Sequence, residues 1–444
     1  MARKLFGTDG VRGEVGTRLT AELALALGRA ATATAGADAR RGGDGAAPRV
    51  LLIRDTRESG EMLEAALAAG VTSAGGDAYL GGVLPTPAAP LLVRRYGFDL
   101  AAVISASHNP YADNGIKFFG GDGFKLTDDA ELEIERALEA ERAPAASRVG
   151  RVHDLHGTQE DYLRELATRF QALDLSGVRV LLDCAHGATF RVAPEIFRRL
   201  GAEVTTHAVE PDGRNINAGC GSTHVEALAQ RVAAEGHDVG FAFDGDGDRV
   251  LAVDRTGAVV DGDELLALAA LHKRVAGVAV TVMTNYGFHA AMDAAGIAVE
   301  TTKVGDRYVL EALRAKGWAL GGEQSGHIID MDFVPSGDGI ASALLTLEAL
   351  GGGDLAERAA MEKLPQRLVN VRVGDRDAAM AAPEVAEATA REAEALSGRG
   401  RVLLRPSGTE PLVRVMVEAP TAEEADAVCE RLVAVVERAA GQGS

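Results

Sequence analysis

Cysteine is scarce in this chain. Only Cys184, Cys220 and Cys429 occur in 444 residues, widely spaced and without a Cys-x-x-Cys pair. Neither a disulfide framework nor a zinc site is therefore expected, and buried thiols are the plain reading. No uncharged apolar run reaches membrane-spanning length, which argues against a transmembrane helix. No Lys/Arg block interrupts a formal net charge of -19. Nucleic acid and anionic membranes are thus not expected as partners, and a dianionic substrate would need its own local Arg and Lys clamps. After Arg3 and Lys4 the amino terminus continues as FGTDGVRG and not as an apolar stretch. A signal peptide is not expected, and a soluble cytoplasmic protein is.

What is present is an alternation of strand-like and helix-like segments, long enough for about three or four domains. Strands are predicted at 49–53 and 101–104 with a helix at 61–74, then strands at 178–182 and 239–243 with a helix at 192–200. A third unit follows, with strands at 278–282 and 297–301 and a helix at 308–316. The pattern implies α/β units with parallel sheets, each ending in a polar loop. The last stretch differs: strands at 368–373, 401–404 and 412–418 with helices at 383–396 and 422–439 read as a small α+β domain. Domains are accordingly placed at 1–155, 156–256, 257–367 and 368–444. The segment 35–48, rich in Ala, Gly and charge, reads as a surface loop, and Gly351 to Gly353 as a flexible turn.

Two loops carry the chemistry. Ser105 to Pro110 reads SASHNP and Asp244 to Arg249 reads DGDGDR, and each follows a short apolar run at a predicted strand end, where α/β proteins usually place their sites. The first offers a hydroxyl nucleophile, with Ser105 and Ser107 undecided by spacing. His108 could orient that loop. The second offers Asp244, Asp246 and Asp248 at alternate positions, with Gly245 and Gly247 leaving the backbone free to curl. Carboxylates a few Å apart repel by roughly 4 kcal/mol per pair at an effective dielectric near 20, a penalty that a hard divalent cation of the Mg2+ type removes. An EF-hand is excluded, because Arg249 stands at the sixth position and Arg255 at the twelfth. A serine able to carry a group beside a metal cradle suggests phosphoryl transfer through a phosphoserine, with Lys117 in NGIKFF as a nearby cation.

Two further loops complete the set. Arg405 to Pro411, RPSGTEP, gathers a guanidinium, two hydroxyls and a glycine amide suited to a phosphate, with Arg414 as a second cation from the next strand. It is not a Walker loop, since no Gly-Lys-Ser/Thr follows at the required spacing. Gly321 to His327, GGEQSGH, offers Glu323, Ser325 and His327 to sugar hydroxyls.

FGTDGVRG, SASHNP with NGIKFF, FDGDGDR, GEQSGH and RPSGTEPLVRVMVE stand in the order seen in the α-D-phosphohexomutases, and the chain resembles that family over nearly its whole length. KVGDRYV, from Lys303 to Val309, and the carboxy-terminal signature resemble its bacterial amino-sugar branch. The resemblance implies a heart-shaped enzyme of four domains, three α/β domains with mixed, mostly parallel sheets and a C-terminal α+β domain that closes over the substrate. It implies that Ser107 carries the phosphoryl group, whose phosphate completes the Mg2+ shell of Asp244, Asp246 and Asp248. Arg12 and Lys117 would lie near the transferring group, Arg249 would support the metal loop, and Glu323 with Ser325 would hold sugar hydroxyls. Arg405, Ser407, Gly408, Thr409 and Arg414 would clamp the non-transferring phosphate. The implied reaction interconverts glucosamine 6-phosphate and glucosamine 1-phosphate through a 1,6-bisphosphate, with hexose 1,6-bisphosphate as activator, and supplies amino-sugar nucleotide and cell-wall precursor synthesis. A homodimer is one arrangement open to the chain, whose sequence does not set the oligomeric state. Within CAHGAT, His186 stands where many members carry asparagine.

Lys117 and His327 are the candidates for assisting proton transfer, a task for which a lysine needs a lowered pKa. Asp306, in KVGDR, is hypothesised to recognise the amino group. The competing readings are a glucose- or mannose-phosphate mutase on the same scaffold, a phosphatase using an aspartyl phosphate in DGDGD, whose phosphoenzyme would be sensitive to hydroxylamine, and a non-catalytic sugar-phosphate binder.

Overall fold

The structure, a computed structural model, describes residues 5–7, 9–41, 47–139, 148–407 and 410–441. The chain divides into two compact units, Met1–Val282 with Glu300–Arg358, and Met283–Val299 with Ala359–Ser444. The helix Tyr286–Ala294 therefore groups with the C-terminal residues. Asn285 caps it by accepting from the Gly287 amide at 3.0 Å, while also accepting from Leu364 N at 3.0 Å and donating to Leu364 O at 3.0 Å.

Three mixed sheets build most of the chain. The first orders its strands Val11–Glu14, Asp113–Gly120, Leu100–Ile104, Arg49–Arg54, Asp77–Val83 and Val152–Asp154. The second runs Val259–Val260, Val250–Asp254, Val239–Phe243, Arg179–Asp183 and Glu203–His207, and the third Ala298–Thr302, Gly277–Thr281, Leu320–Gly322 and Ile328–Asp330. Leu100–Ile104, Val239–Phe243 and Gly277–Thr281 are buried along their whole length. Continuous apolar runs of this kind belong to strands covered on both faces, which is why they are legible as buried strands.

The return strands are not. The chain leaves Leu100–Ile104 through the serine loop and comes back antiparallel as Asp113–Gly120, placing Lys117 opposite Val103. The same turn is made from Val239–Phe243 to Val250–Asp254, with Phe243 opposite Val250, and from Leu320–Gly322 to Ile328–Asp330, with Gly322 opposite Ile328. Each polar loop thus joins an inner strand to an antiparallel neighbour.

One expectation needs correction. The helix Ala21–Arg41 runs through Ala35 to Arg41, residues that composition alone assigns to a surface loop. Alanine and arginine are strong helix formers, and the lone Gly36 is too small a penalty to stop a helix already under way. Residues 42–46 of that segment lie outside the described residues.

In the second unit, Gln366–Arg372, Leu412–Glu418 and Arg401–Pro406 form an antiparallel sheet with Leu412–Glu418 in the centre. Val413, Val415 and Val417 alternate toward one face and pack in a core with Val428, Leu432 and Val436 of the helix Ala422–Gly441. The twofold period meeting the helical one is the α+β arrangement the sequence predicts.

Candidate active site

The serine loop is held by its own neighbours. Ser105 donates its hydroxyl to Asp55 at 2.6 Å and accepts the Ser107 amide at 2.9 Å, so its oxygen is committed to structure. Ser107 adopts a left-handed backbone with φ of 54°, which costs a non-glycine residue about 1–2 kcal/mol. Its hydroxyl donates to Asp244 and lies 3.5 Å from His108 Nδ1. Geometry thus separates two serines that spacing could not.

Arg57 ties the loop down from beneath. It is fully buried, donates to Asp55 at 2.9 Å, and reaches the carbonyls of Ser107 at 2.9 Å, Asn109 at 2.8 Å, Asp113 at 3.0 Å and Pro110. Burial pulls the Asp55 carboxyl upward, against the pull of Arg57 and the Ser105 hydroxyl. The sequence reading missed both residues. Their signal was RDTR directly after the strand Arg49–Arg54, a further polar loop at a strand end of the same sheet.

In the aspartate loop, Asp244, Asp246 and Asp248 are buried and each offers a ligand atom within 4.8 Å of the others. Asp246 Oδ1 and Asp248 Oδ1 have no hydrogen-bond partner among the described residues, an arrangement that buried carboxylates rarely leave unanswered. Burial, then Asp248 and Asp246, push the Asp244 carboxyl well above the usual range. Such a donor set fits a hard cation held by oxygen ligands. The curl depends on Gly247, with φ of 70°, and on Gly245, where an added Cβ would sit 2.6 Å from the Ser107 carbonyl. Thr86 supports the loop by donating its hydroxyl to Asp246 at 2.6 Å, and the Arg249 amide donates to Asp244 at 3.1 Å.

Cations surround these oxygens. Lys117 Nζ is 2.8 Å from Asp246, 3.7 Å from Asp248 and 3.5 Å from Asp9. Burial would lower its pKa, but Asp246, Asp9 and Asp248 outweigh it and raise it above the ordinary lysine value. This opposes the lowered pKa that proton transfer asks of a lysine. Arg12 pairs with Asp9. The Arg249 guanidinium lies 3.2 Å from His108 Nδ1, and burial, then Arg249 and Arg12, lower the pKa of that imidazole.

The loop from Gly321 to His327 meets the same cluster through His327. The Gly337 amide donates to Nε2 at 3.1 Å, which assigns the ring proton to Nδ1, 3.6 Å from Asp248. Burial lowers the pKa of this imidazole while Asp248 and Asp306 raise it, and the net direction is upward. A second proton, which that upward shift favours, would sit on Nε2 at the cost of the Gly337 bond, 3.7 Å from Asp306. Both nitrogens are therefore engaged. Glu323 accepts the Gly305 amide at 3.1 Å, and Ser325 is exposed. Asp306 opens the helix Asp306–Lys316, lies 3.7 Å from His327 Nε2 and pairs with Lys125, which also reaches Asp9 at 2.6 Å. Asp9 and Lys125 were not singled out from sequence.

His186 has φ of 49°, a left-handed conformation in which asparagine and histidine are both enriched. This accounts for their exchange at that position.

In the second unit, Arg405 and Arg414 face each other across paired strands. Burial, then Arg414, lower the pKa of the Arg405 guanidinium. Arg376 donates to the Ser407 carbonyl. Gly408 and Thr409 lie outside the described residues.

Models of the phosphoglucomutase/phosphomannomutase domains match four successive stretches: alpha/beta/alpha domain I at 3–145, domain II at 160–257, domain III at 261–368 and the C-terminal domain at 368–435. A phosphoglucosamine mutase of Moorella thermoacetica is 52% identical over 434 residues, covering 95% of this chain and 96% of that protein. One of Heliobacterium modesticaldum is 48% identical, covering 98% and 99%. Among solved structures, a phosphoglucomutase/phosphomannomutase family protein of Burkholderia thailandensis superposes with a TM-score of 0.81 at 22% identity, over 98% of this chain and 97% of that one.

Proposed function

The chain belongs to the phosphoglucomutase/phosphomannomutase family and catalyses the phosphoglucosamine mutase reaction, and we propose that Ser107 carries the transferring phosphoryl group while Asp244, Asp246 and Asp248 hold Mg2+. The observation that carries this reading is the Ser107 hydroxyl bonded to Asp244 inside a buried triad in which two oxygens have no hydrogen-bond partner among the described residues. Bound there, Mg2+ would withdraw charge from the phosphate oxygens and the serine oxygen.

In the proposed cycle the bond from phosphorus to Ser107 Oγ breaks as one forms to the C1 hydroxyl oxygen of glucosamine 6-phosphate, whose proton passes to the departing serine oxygen. The resulting 1,6-bisphosphate turns around, its 6-phosphoryl group returns to Ser107 Oγ, and the serine proton passes to the C6 oxygen as glucosamine 1-phosphate is released. Hexose 1,6-bisphosphate would act as activator by phosphorylating resting Ser107. Lys117 and Arg12 are proposed to stabilise charge on the transferring oxygens, a role suited to lysine held charged. His327 is proposed to fix Asp248 and to assist proton transfer. Glu323 and Ser325 are proposed to hold sugar hydroxyls, Asp306 to recognise the amino group, and Arg405, Ser407 and Arg414 to bind phosphate. We retain the four-domain division at 155, 256 and 367 as part of this proposal, along with a cytoplasmic setting. Among the described residues no helix is long and apolar enough to cross a membrane.

The test compares initial rates on glucosamine, glucose, mannose and N-acetylglucosamine monophosphates, with Mg2+ and a bisphosphate activator. Preference for glucosamine phosphate by tenfold or more, about 1.4 kcal/mol of discrimination, abolished by Ser107→Ala, is the expected result. Turnover surviving in Ser107→Ala would refute the carrier assignment. Asp306→Ala is expected to lose glucosamine turnover out of proportion to glucose turnover, and equal losses would remove Asp306 from amino-group recognition.

A further inference from the structure

Six described non-glycine residues have a positive φ: Ser107, Ala185, His186, Ala208, Asn217 and Arg274. All but Arg274 belong to one connected set. His186 N donates to Ala208 O at 2.7 Å, Asn217 N donates to Ala185 O at 2.9 Å, and the Asn217 side chain reaches Ser107. Backbone strain gathered in this way marks a place where surrounding structure enforces a geometry.

The link to Ser107 is specific. Asn217 is 6% exposed, and its Nδ2 donates to the carbonyls of Ser107 at 2.9 Å and Asn109 at 3.1 Å. Both partners can only accept, so the side chain must present its amino group to them. Among the described residues its Oδ1 has no hydrogen-bond partner. The amide is thus held for its donors alone. The same two carbonyls receive Arg57 from the other side, at 2.9 and 2.8 Å. Asn217 Nδ2 also stands 2.7 Å from the place a Cβ on Gly245 would occupy, so it bears on the serine and aspartate loops at their closest approach.

We propose that Asn217 is a positioning residue for phosphoryl transfer, acting through the carbonyls of Ser107 and Asn109 to hold the serine oxygen in register with the aspartate loop. Arg57 supplies the opposing grip. The proposal rests on Ser107 being the phosphoryl carrier. Asn217 touches neither the phosphoryl group nor the triad, and its loss should slow transfer while leaving substrate binding in place.

Asn217→Gly tests this, because glycine keeps the left-handed backbone and removes only the amide. With phosphorylated enzyme, Mg2+, glucose 1,6-bisphosphate and glucosamine 6-phosphate, kcat is expected to fall about 10- to 100-fold with KM within about twofold. Asn217→Asp, similar in shape but lacking both donors, should fall further, and a folded aspartate variant with parental kcat overturns the proposal. Should the glycine variant fail to fold, the aspartate variant decides alone. Arg214→Ala, which removes an exposed ion pair to Glu58 from the same loop, should leave kcat unchanged. A kcat within twofold of the parent in Asn217→Gly, or a change confined to KM, overturns the proposal. Ser107→Ala run in parallel separates the premises: turnover there refutes the carrier, whereas an inert serine variant beside a normal Asn217→Gly refutes only the positioning role.

Discussion

Replacing Asp338 by asparagine should make the enzyme's stability less dependent on pH. Asp338 caps the helix Gly339–Leu350 by accepting the Ala341 amide at 2.9 Å, and it accepts the Tyr162 hydroxyl at 2.9 and 3.0 Å. It is 2% exposed, and burial raises its pKa from 3.8 to about 6 despite these bonds. A carboxyl with a raised folded pKa binds its proton more tightly in the folded state. Its contribution is therefore most favourable below 3.8 and is lost as pH rises through 6. The full penalty is about 3 kcal/mol, from two pKa units at about 1.4 kcal/mol each, with roughly half of it developed by pH 5. The asparagine variant would keep the cap, since asparagine and aspartate cap almost equally well, and would carry no titrating charge. Hydrogen exchange of the Gly339–Leu350 amides from pH 4 to 8 should show Asp338→Asn gaining protection relative to the parent as pH rises. A difference that stays constant across that range would refute the reasoning.

Asp246→Asn should weaken Mg2+ binding by tenfold or more, read by calorimetry on the intact enzyme, because it removes a charge from a buried triad of carboxylates. Gly187→Ala would place a Cβ 2.3 Å from the Gly245 carbonyl; a destabilisation of about 1–3 kcal/mol and a loss of turnover are expected, and an unchanged melting temperature would contradict the contact. Asp261→Ala removes a capping box at the helix Gly262–Lys273 and should cost about 1 kcal/mol, checked by chemical denaturation.

How much of this was legible in sequence depended on what each signal reports. Val239–Phe243 and Leu100–Ile104 announced themselves because full burial writes an unbroken apolar run. Asp113–Gly120 did not, since its polar Asn114 and Lys117 are buried for the sake of the site and disguise the strand. The aspartate triad was readable because its ligands come from one hexapeptide. Asp55, Arg57 and Asn217 were not, because each acts on the Ser105–Asn109 stretch across 50 to more than 100 residues of chain, by bonds to serine oxygens and peptide carbonyls that leave no mark in local periodicity. Lys125 and Asp9 escaped for the same reason: 116 residues separate them, and only folding makes them a pair.

The tight approach of Gly187 to the Gly245 carbonyl, and of Gly245 to the Ser107 carbonyl, bears on how this enzyme could be redesigned. Main chain against main chain leaves no side chain to trim or rotate, so a displacement at one level passes to the next without a buffer. A library aimed at new sugars should hold residues 187, 245 and 107 invariant. Its diversity belongs at 323, 325 and 306, the positions proposed above to face the sugar.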